Sequence, residues 1–145
     1  MKDTRRLGPA ARQLIRSPGT SIWVSAASIW EIGIKAALGR LELREPFAEV
    51  LPRELERQGF RPLPVTFQHA LAVRKLPQHH ADPFDRMLIA QAQCEDLTLV
   101  TSDSRIRDYD IRTIDAAAGM NRFGGQRSPW ALRCLPEIRP LPVER

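Results

Sequence analysis

Hydrophobic and polar positions along this chain follow two spacings, one typical of strands and one typical of helices. Compact β-branched or aromatic runs at Ile22–Val24 and Leu97–Thr101 predict buried strands. Between such runs, apolar residues recur every three or four positions, which predicts helices that each bury one face. The pattern gives helices at Leu7–Ile15, Ser25–Leu38, Phe47–Arg57, Phe67–Leu76 and Asp82–Cys94, and further short strands at Leu63–Val65 and Ile111–Ile114. Strands that alternate with helices favour the α/β class, with a parallel sheet between two layers of helices.

The clearest element boundary is the helix start at Asp82. Aspartate is a preferred N-cap residue, because its side chain accepts a hydrogen bond from a backbone N–H of the first helical turn. Pro83 suits the first helical position, where a backbone N–H would have no partner within the helix. Asp85 then falls in the first turn, where a negative charge is favoured.

The sequence pattern changes after Asp115. Residues 116–145 contain four prolines and show no sustained periodicity. We therefore predict a domain over residues 1–115 and a flexible or loosely packed C-terminal tail over residues 116–145. The apolar residues between Trp130 and Ile138 are the part of this tail most able to pack.

Charge and cysteine content exclude several classes of protein. The net charge is +5, but residues 17–115 carry 12 basic and 14 acidic groups, which disfavours a broad cationic surface for DNA. Cys94 and Cys134 lie far apart without zinc-type spacing. No apolar run is long enough for a signal peptide or a membrane span, so we expect a cytoplasmic protein without membrane contact.

Three carboxylates follow strands or begin helices in the predicted sheet: Glu31, Asp85 and Asp103. Ligands collect beyond the carboxyl ends of parallel strands, and converging carboxylates suit a hard cation such as Mg²⁺, which supports phosphodiester hydrolysis. Each acid also has a structural interpretation. Glu31 can complete a capping box with Ser28 or pair with Lys35, Asp85 can favour its helix N-terminus, and Asp103 can begin a turn.

His79 and His80 precede the Asp82 helix in a predicted loop. Either ring can serve as an acid, a base or a phosphate contact. Adjacent loop histidines are also commonly solvated, and the residues alone leave both interpretations open.

Three segments together resemble one family in order and spacing. Val24–Lys35, His79–Ala92 and Leu97–Asp103 are similar to the PIN-domain toxins of VapC type, from type II toxin–antitoxin systems. The resemblance implies a three-layer α/β/α fold with a parallel sheet and an Mg²⁺-dependent endoribonuclease, with Mn²⁺ as an alternative ion. It also implies an RNA substrate, a VapB-type antitoxin and a homodimer. Within the matching segments, Glu31, Asp85 and Asp103 correspond to the family's catalytic, metal-holding acids.

The resemblance runs from Leu7 to Asp115 and departs from the family at its beginning. Family members start with a central strand that ends in a metal-holding Asp, and nothing before Leu7 matches it, since no strand precedes Asp3-Thr4. We therefore expect the N-terminal strand to be absent from this sequence. Either the true start lies upstream, the chain is a decayed fragment, or another segment such as Trp130–Ile138 replaces the strand.

Two hypotheses about function follow. The first is a VapC-type endoribonuclease toxin in which an ion activates the water that attacks RNA. The alternative is a catalytically impaired PIN remnant that binds an antitoxin but holds no metal. A DNA nuclease of similar fold stays open as a third interpretation.

Overall fold

A computed structural model describes residues 8–43, 46–117 and 137–140. The helices in this part of the chain are α1 (Pro9–Arg16), α2 (Ala26–Ala37), α3 (Phe47–Gln58), α4 (Phe67–Val73) and α5 (Pro83–Glu95), with a 3₁₀-helix at Ser104–Asp108. The strands are β1 (Thr20–Ser25), β2 (Arg61–Leu63), β3 (Thr98–Thr101), β4 (Arg112–Asp115) and β5 (Glu137–Pro140). Every element predicted from periodicity is present, with ends that differ by up to three residues. None of the helices in these ranges is long and apolar enough to cross a membrane.

Side-chain caps define where the two helices next to the site begin. Asp82 accepts hydrogen bonds from the backbone N–H groups of Phe84 and Asp85, at 2.9 and 3.2 Å, so the predicted helix start is confirmed. In α2 the N-cap is Ser25, whose hydroxyl accepts from the N–H of Ala27 at 3.1 Å. Because this cap lies three residues before Ser28, the capping box suggested for Ser28 and Glu31 is wrong.

The sheet has the strand order β2-β1-β5-β3-β4. β1 pairs in parallel with β2, and β3 pairs in parallel with β4. β5 lies between these two pairs and is antiparallel to both β1 and β3. The other four strands therefore share one direction, which confirms the α/β class, while β5 makes the sheet mixed.

β5 comes from the C-terminal segment, where no regular element was predicted, and overlaps the Trp130–Ile138 stretch that was named as one possible replacement for the missing strand. In β5, Pro140 pairs with Thr20 of β1, and Ile138 pairs with Thr98 of β3. In the family that the sequence resembles, the first strand occupies this central position of the sheet. Residues 1–7, 118–136 and 141–145 lie outside the described residues, so the predicted domain boundary and loosely packed tail stay predictions there.

Apolar clusters on both faces of the sheet give the fold its layers. Leu99 packs with Leu88 and Ile89 of α5 on one face. Its neighbour Val100 points to the other face and packs with Ile22 of β1 and Ala11 of α1. This alternation along β3 is expected of a central strand that is buried on both sides. The result is the predicted α/β/α arrangement, which holds the carboxyl ends of β1 and β3 at one edge.

Candidate functional site

Three titratable side chains converge at the carboxyl edge of the sheet: His80, Asp85 and Asp103. Asp103 follows the last residue of β3 by two positions, Asp85 lies in the first turn of α5, and His80 lies in the loop before that helix, two residues before the N-cap Asp82. One potential ligand atom from each side chain lies within 4.8 Å of the others. The strand-end and helix-start positions identified from the sequence thus bring two of the three predicted acids together.

His80 lies between the two carboxylates. Its Nε2 atom is 3.0 Å from Oδ2 of Asp103 and 3.1 Å from Oδ2 of Asp85. The side chains of His80 and Asp85 are each 1% exposed, whereas that of Asp103 is 19% exposed. The cluster is therefore closed on the Asp85 side and reached from solvent on the Asp103 side.

Asp103 is positioned by its own turn. Its carboxylate accepts a hydrogen bond from the backbone N–H of Arg105 at 3.0 Å, which begins the 3₁₀-helix. The Arg105 guanidinium donates two more, from Nε to Oδ1 at 3.2 Å and from Nη2 to Oδ2 at 2.8 Å. The Arg105 side chain holds the pKa of Asp103 well below its usual range, against the opposing effect of burial and with a further contribution from His80. The carboxylate therefore stays ionised at neutral pH.

This lowered pKa predicts how the metal-free protein loses stability in acid. An Asp whose pKa is lower in the folded than in the unfolded state adds stability that is complete above the unfolded value, 3.8, and is lost as pH falls below it. We expect Asp103→Asn to be less sensitive to acid than the original protein between about pH 5 and pH 2, where the unfolded chain takes up the proton and the folded protein does not. Urea unfolding in EDTA across this range measures the difference. Asp110→Asn, at an exposed aspartate outside the cluster, is the matched control, and parallel acid profiles for all three proteins would contradict the prediction.

Glu31 lies outside the converging group. It is buried on α2, 4% exposed, and pairs with Lys35 one turn later, as its structural interpretation predicted. The rings of Trp30 and Phe84 meet edge to face with centroids 5.2 Å apart, which places this part of α2 against the first turn of α5. Glu31 and Asp85 are thus carried by neighbouring turns of two packed helices.

The loop before α5 is held by Arg86, which is 8% exposed. Its guanidinium donates to five acceptors, at distances of 2.8 to 3.3 Å: the carbonyls of Val73, Leu76, Pro77 and His80 and the hydroxyl of Tyr109. Buried arginines usually pair with a carboxylate, but here backbone carbonyls satisfy the charge. Because the acceptors are spread from the end of α4 to His80, one side chain fixes the path of the whole loop.

From the sequence, His80 was an open candidate and was not among the predicted site residues. His79, its neighbour, is exposed and contacts only the edge of the Tyr109 ring among the contacts described for it, at 5.1 Å between centroids. The two histidines differ in that His80 contacts Asp103, and Asp103 lies 23 positions after His80 in the sequence. The local signal was the position of His80 two residues before the N-cap Asp82, since its Nδ1 accepts the Asp82 N–H at 3.1 Å.

The donor set suits a hard divalent cation. Carboxylate oxygens are the ligands that Mg²⁺ and Mn²⁺ prefer, and Asp85 and Asp103 present two of them within 4.8 Å at a strand edge. Two carboxylates this close repel one another unless a positive group lies between them. In this structure the Arg105 guanidinium supplies positive potential at Asp103, and the His80 ring lies between the two carboxylates.

Comparisons with known proteins identify the family to which the fold belongs. The PIN domain model matches residues 2–112, which include Glu31, Asp85 and Asp103. The chain is similar to Ribonuclease VapC16 of Mycobacterium tuberculosis, with 41% identity over 58 residues, or 40% of this chain. The matched part is 41% of that protein, so the similarity spans about two fifths of the curated relative. No solved structure gives a significant match.

Proposed function

The chain belongs to the PIN domain family, and from that membership we propose that it is an Mg²⁺-dependent endoribonuclease toxin of a VapBC-type system. One observation carries the proposal: Asp85 and Asp103 converge with His80 within 4.8 Å at the carboxyl edge of the sheet. The name of the relative, Ribonuclease VapC16, supports RNA as the substrate. We propose the cytoplasm as its location, since that is where such an RNA substrate is found.

In this proposal Glu31, Asp85 and Asp103 hold the cation, with Mn²⁺ as an alternative to Mg²⁺. When bound, such an ion lowers the pKa of a water molecule and stabilises negative charge on the phosphate. Asp103 contributes a carboxylate that is already ionised and partly exposed, so an ion can reach it without displacing a proton. Asp85 contributes a buried carboxylate that the helix start fixes in place.

Cleavage of RNA by the purified chain tests the proposal. We expect a mixture of structured RNAs to be cut in Mg²⁺ or Mn²⁺, and to stay intact when EDTA is present. Single-stranded and duplex DNA of similar length serve as the control substrates. Equal cleavage in EDTA, or faster cleavage of DNA, would contradict the proposal. A chain that binds a VapB-type antitoxin but neither binds Mn²⁺ nor cuts RNA would instead be the non-catalytic remnant.

We also propose a VapB-type antitoxin and a second copy of the chain as protein partners. Exposed apolar side chains recur every four residues, at Trp30 and Ile34 of α2 and at Leu38, the residue that caps its C-terminus, and Trp30 is 65% exposed. A continuous apolar stripe on a protein surface usually marks an interaction site, which supports partners of this kind. Sedimentation of the chain as a monomer at micromolar concentration would contradict the homodimer.

A further inference from the structure

We propose that His80 is a positioning residue, which orients Asp103 by a hydrogen bond from Nε2, keeps the positive edge of its ring against Asp85, and does not itself bind the cation. This inference rests on the proposed metal site and concerns how the apoprotein keeps that site in order. His80 lies within 4.8 Å of the two aspartates, and imidazole is a common metal ligand, so its position alone would suggest that it binds the cation. The proposed role is different.

Each polar atom of His80 has a partner. The backbone N–H donates to the Tyr109 hydroxyl at 2.8 Å, and the backbone carbonyl accepts from Arg86 at 3.3 Å. On the ring, Nδ1 accepts from the N–H of Asp82 at 3.1 Å, and Nε2 lies 3.0 Å from Asp103. With the residue 3% exposed, neither the backbone nor the ring has freedom to turn.

The bond from Asp82 determines which ring nitrogen carries the proton. A backbone N–H can only donate, so Nδ1 must offer its lone pair and cannot carry a hydrogen. In a neutral imidazole the hydrogen is then on Nε2, the atom that faces both carboxylates. The ring therefore donates to Asp103 while its positive edge lies 3.1 Å from Asp85.

Metal binding by the same ring would require the opposite tautomer. To ligate through Nε2, the imidazole would have to move its hydrogen to Nδ1, where it would meet the N–H of Asp82. Two donors facing one another inside a buried site would lose a hydrogen bond without a substitute. The geometry thus favours a donor that keeps Asp85 and Asp103 in range of one ion.

The chemical shifts of the two ring nitrogens, recorded by NMR through the carbon-bound protons of the ring, identify this tautomer in the intact protein. In EDTA at about pH 7.5, we expect an unprotonated Nδ1 and a protonated Nε2, and we expect the same pattern in saturating Mg²⁺. A hydrogen on Nδ1 in EDTA, or loss of the Nε2 hydrogen in Mg²⁺, would overturn the proposal. His80→Asn identifies the resonances.

Two substitutions separate a positioning role from ligation. Asn keeps an acceptor near the Nδ1 position and removes the Nε2 donor, whereas Gln keeps an N–H donor near Nε2. By calorimetric titration with Mn²⁺, we expect His80→Asn to weaken binding by about 10- to 100-fold, as the loss of residues that orient metal ligands usually does. We expect His80→Gln to stay within about threefold of the original protein, because it retains that orienting donor. Equal losses in both variants would indicate a ligand, and unchanged binding in His80→Asn would exclude a positioning role.

Failure of this inference differs from failure of the proposed function. If the original protein bound no Mn²⁺, the proposed metal site would be wrong, and so would the cation-positioning role built on it. If it bound Mn²⁺ and cut RNA but the Nε2 hydrogen were lost in Mg²⁺, only the role of His80 would be wrong.

Discussion

Asp85→Asn is expected to lower Mg²⁺-dependent RNA cleavage by at least about 100-fold. A catalytic ion contributes several kcal/mol of transition-state stabilisation, and each 1.36 kcal/mol is a factor of ten in rate. Asn keeps the shape of the side chain but removes the negative charge from the most buried carboxyl of the cluster. Initial rates of cleavage at saturating Mg²⁺, measured for both proteins, give the factor.

The same substitution should leave the fold intact. Asp85 and Asp103 lie in one cluster within 4.8 Å, and removing one of two nearby negative charges relieves repulsion in the metal-free protein. We therefore expect an equal or higher melting temperature for Asp85→Asn in EDTA. Asp96→Asn, at the other end of α5, is the matched control, because the left-handed conformation there, with φ of 54°, suits Asn as well as Asp. Full activity in Asp85→Asn would contradict the proposed site.

Arg86→Met is expected to destabilise the protein by about 3 kcal/mol or more. The substitution keeps an apolar stem but removes one donor from each of five acceptors. The Tyr109 hydroxyl keeps the His80 N–H, whereas the buried carbonyls of Leu76 and His80 lose the donor that the structure gives them. Each buried acceptor left unsatisfied costs about 1 to 3 kcal/mol, and these costs are not fully additive. Since 1 kcal/mol corresponds to about 2–4 °C in a protein of this size, we expect the melting temperature to fall by roughly 10 °C.

Arg86→Lys tests whether geometry or charge matters at this position. An ammonium group has three donors and cannot reach acceptors spread from Val73 to His80, so we expect Lys to recover only part of the lost stability. Arg57→Lys, at an exposed arginine that pairs with Glu54, controls for the substitution itself. A melting temperature for Arg86→Met within about 2 °C of the original would show that water replaces the guanidinium.

Local signals in the sequence were sufficient for the helix that carries Asp85. Its N-cap, its first-turn proline and its apolar spacing all act within a few residues, and the structure reproduces its start at Pro83. The strand and turn around Asp103 were equally local, because Thr101 ends β3 and the Asp103 side chain begins the next turn. These features depend on backbone hydrogen bonds between near neighbours, which the residue types determine.

The features that were not predicted depend on residues far apart in the chain. β5 is four residues long and ends at Pro140, so it has too few positions to display a period of two. Its pairing partners lie far away in sequence, since Ile138 pairs with Thr98 of β3 and Pro140 pairs with Thr20 of β1. The role of His80 depends in the same way on Asp103 and Tyr109, which the fold brings to it from 23 and 29 positions away.

The position of β5 also determines the order in which this protein can fold. Within the described sheet, the β2–β1 and β3–β4 pairs are joined only through β5, which pairs Thr20 with Pro140. Such a contact closes a very long loop, and long-range pairing of this kind slows folding. During synthesis the two halves of the sheet must therefore wait for residue 140 to leave the ribosome before their backbones can be joined. α2, which carries Glu31, follows β1, and Asp103 follows β3, so the backbone register between these two sides of the sheet is set only after β5 has paired.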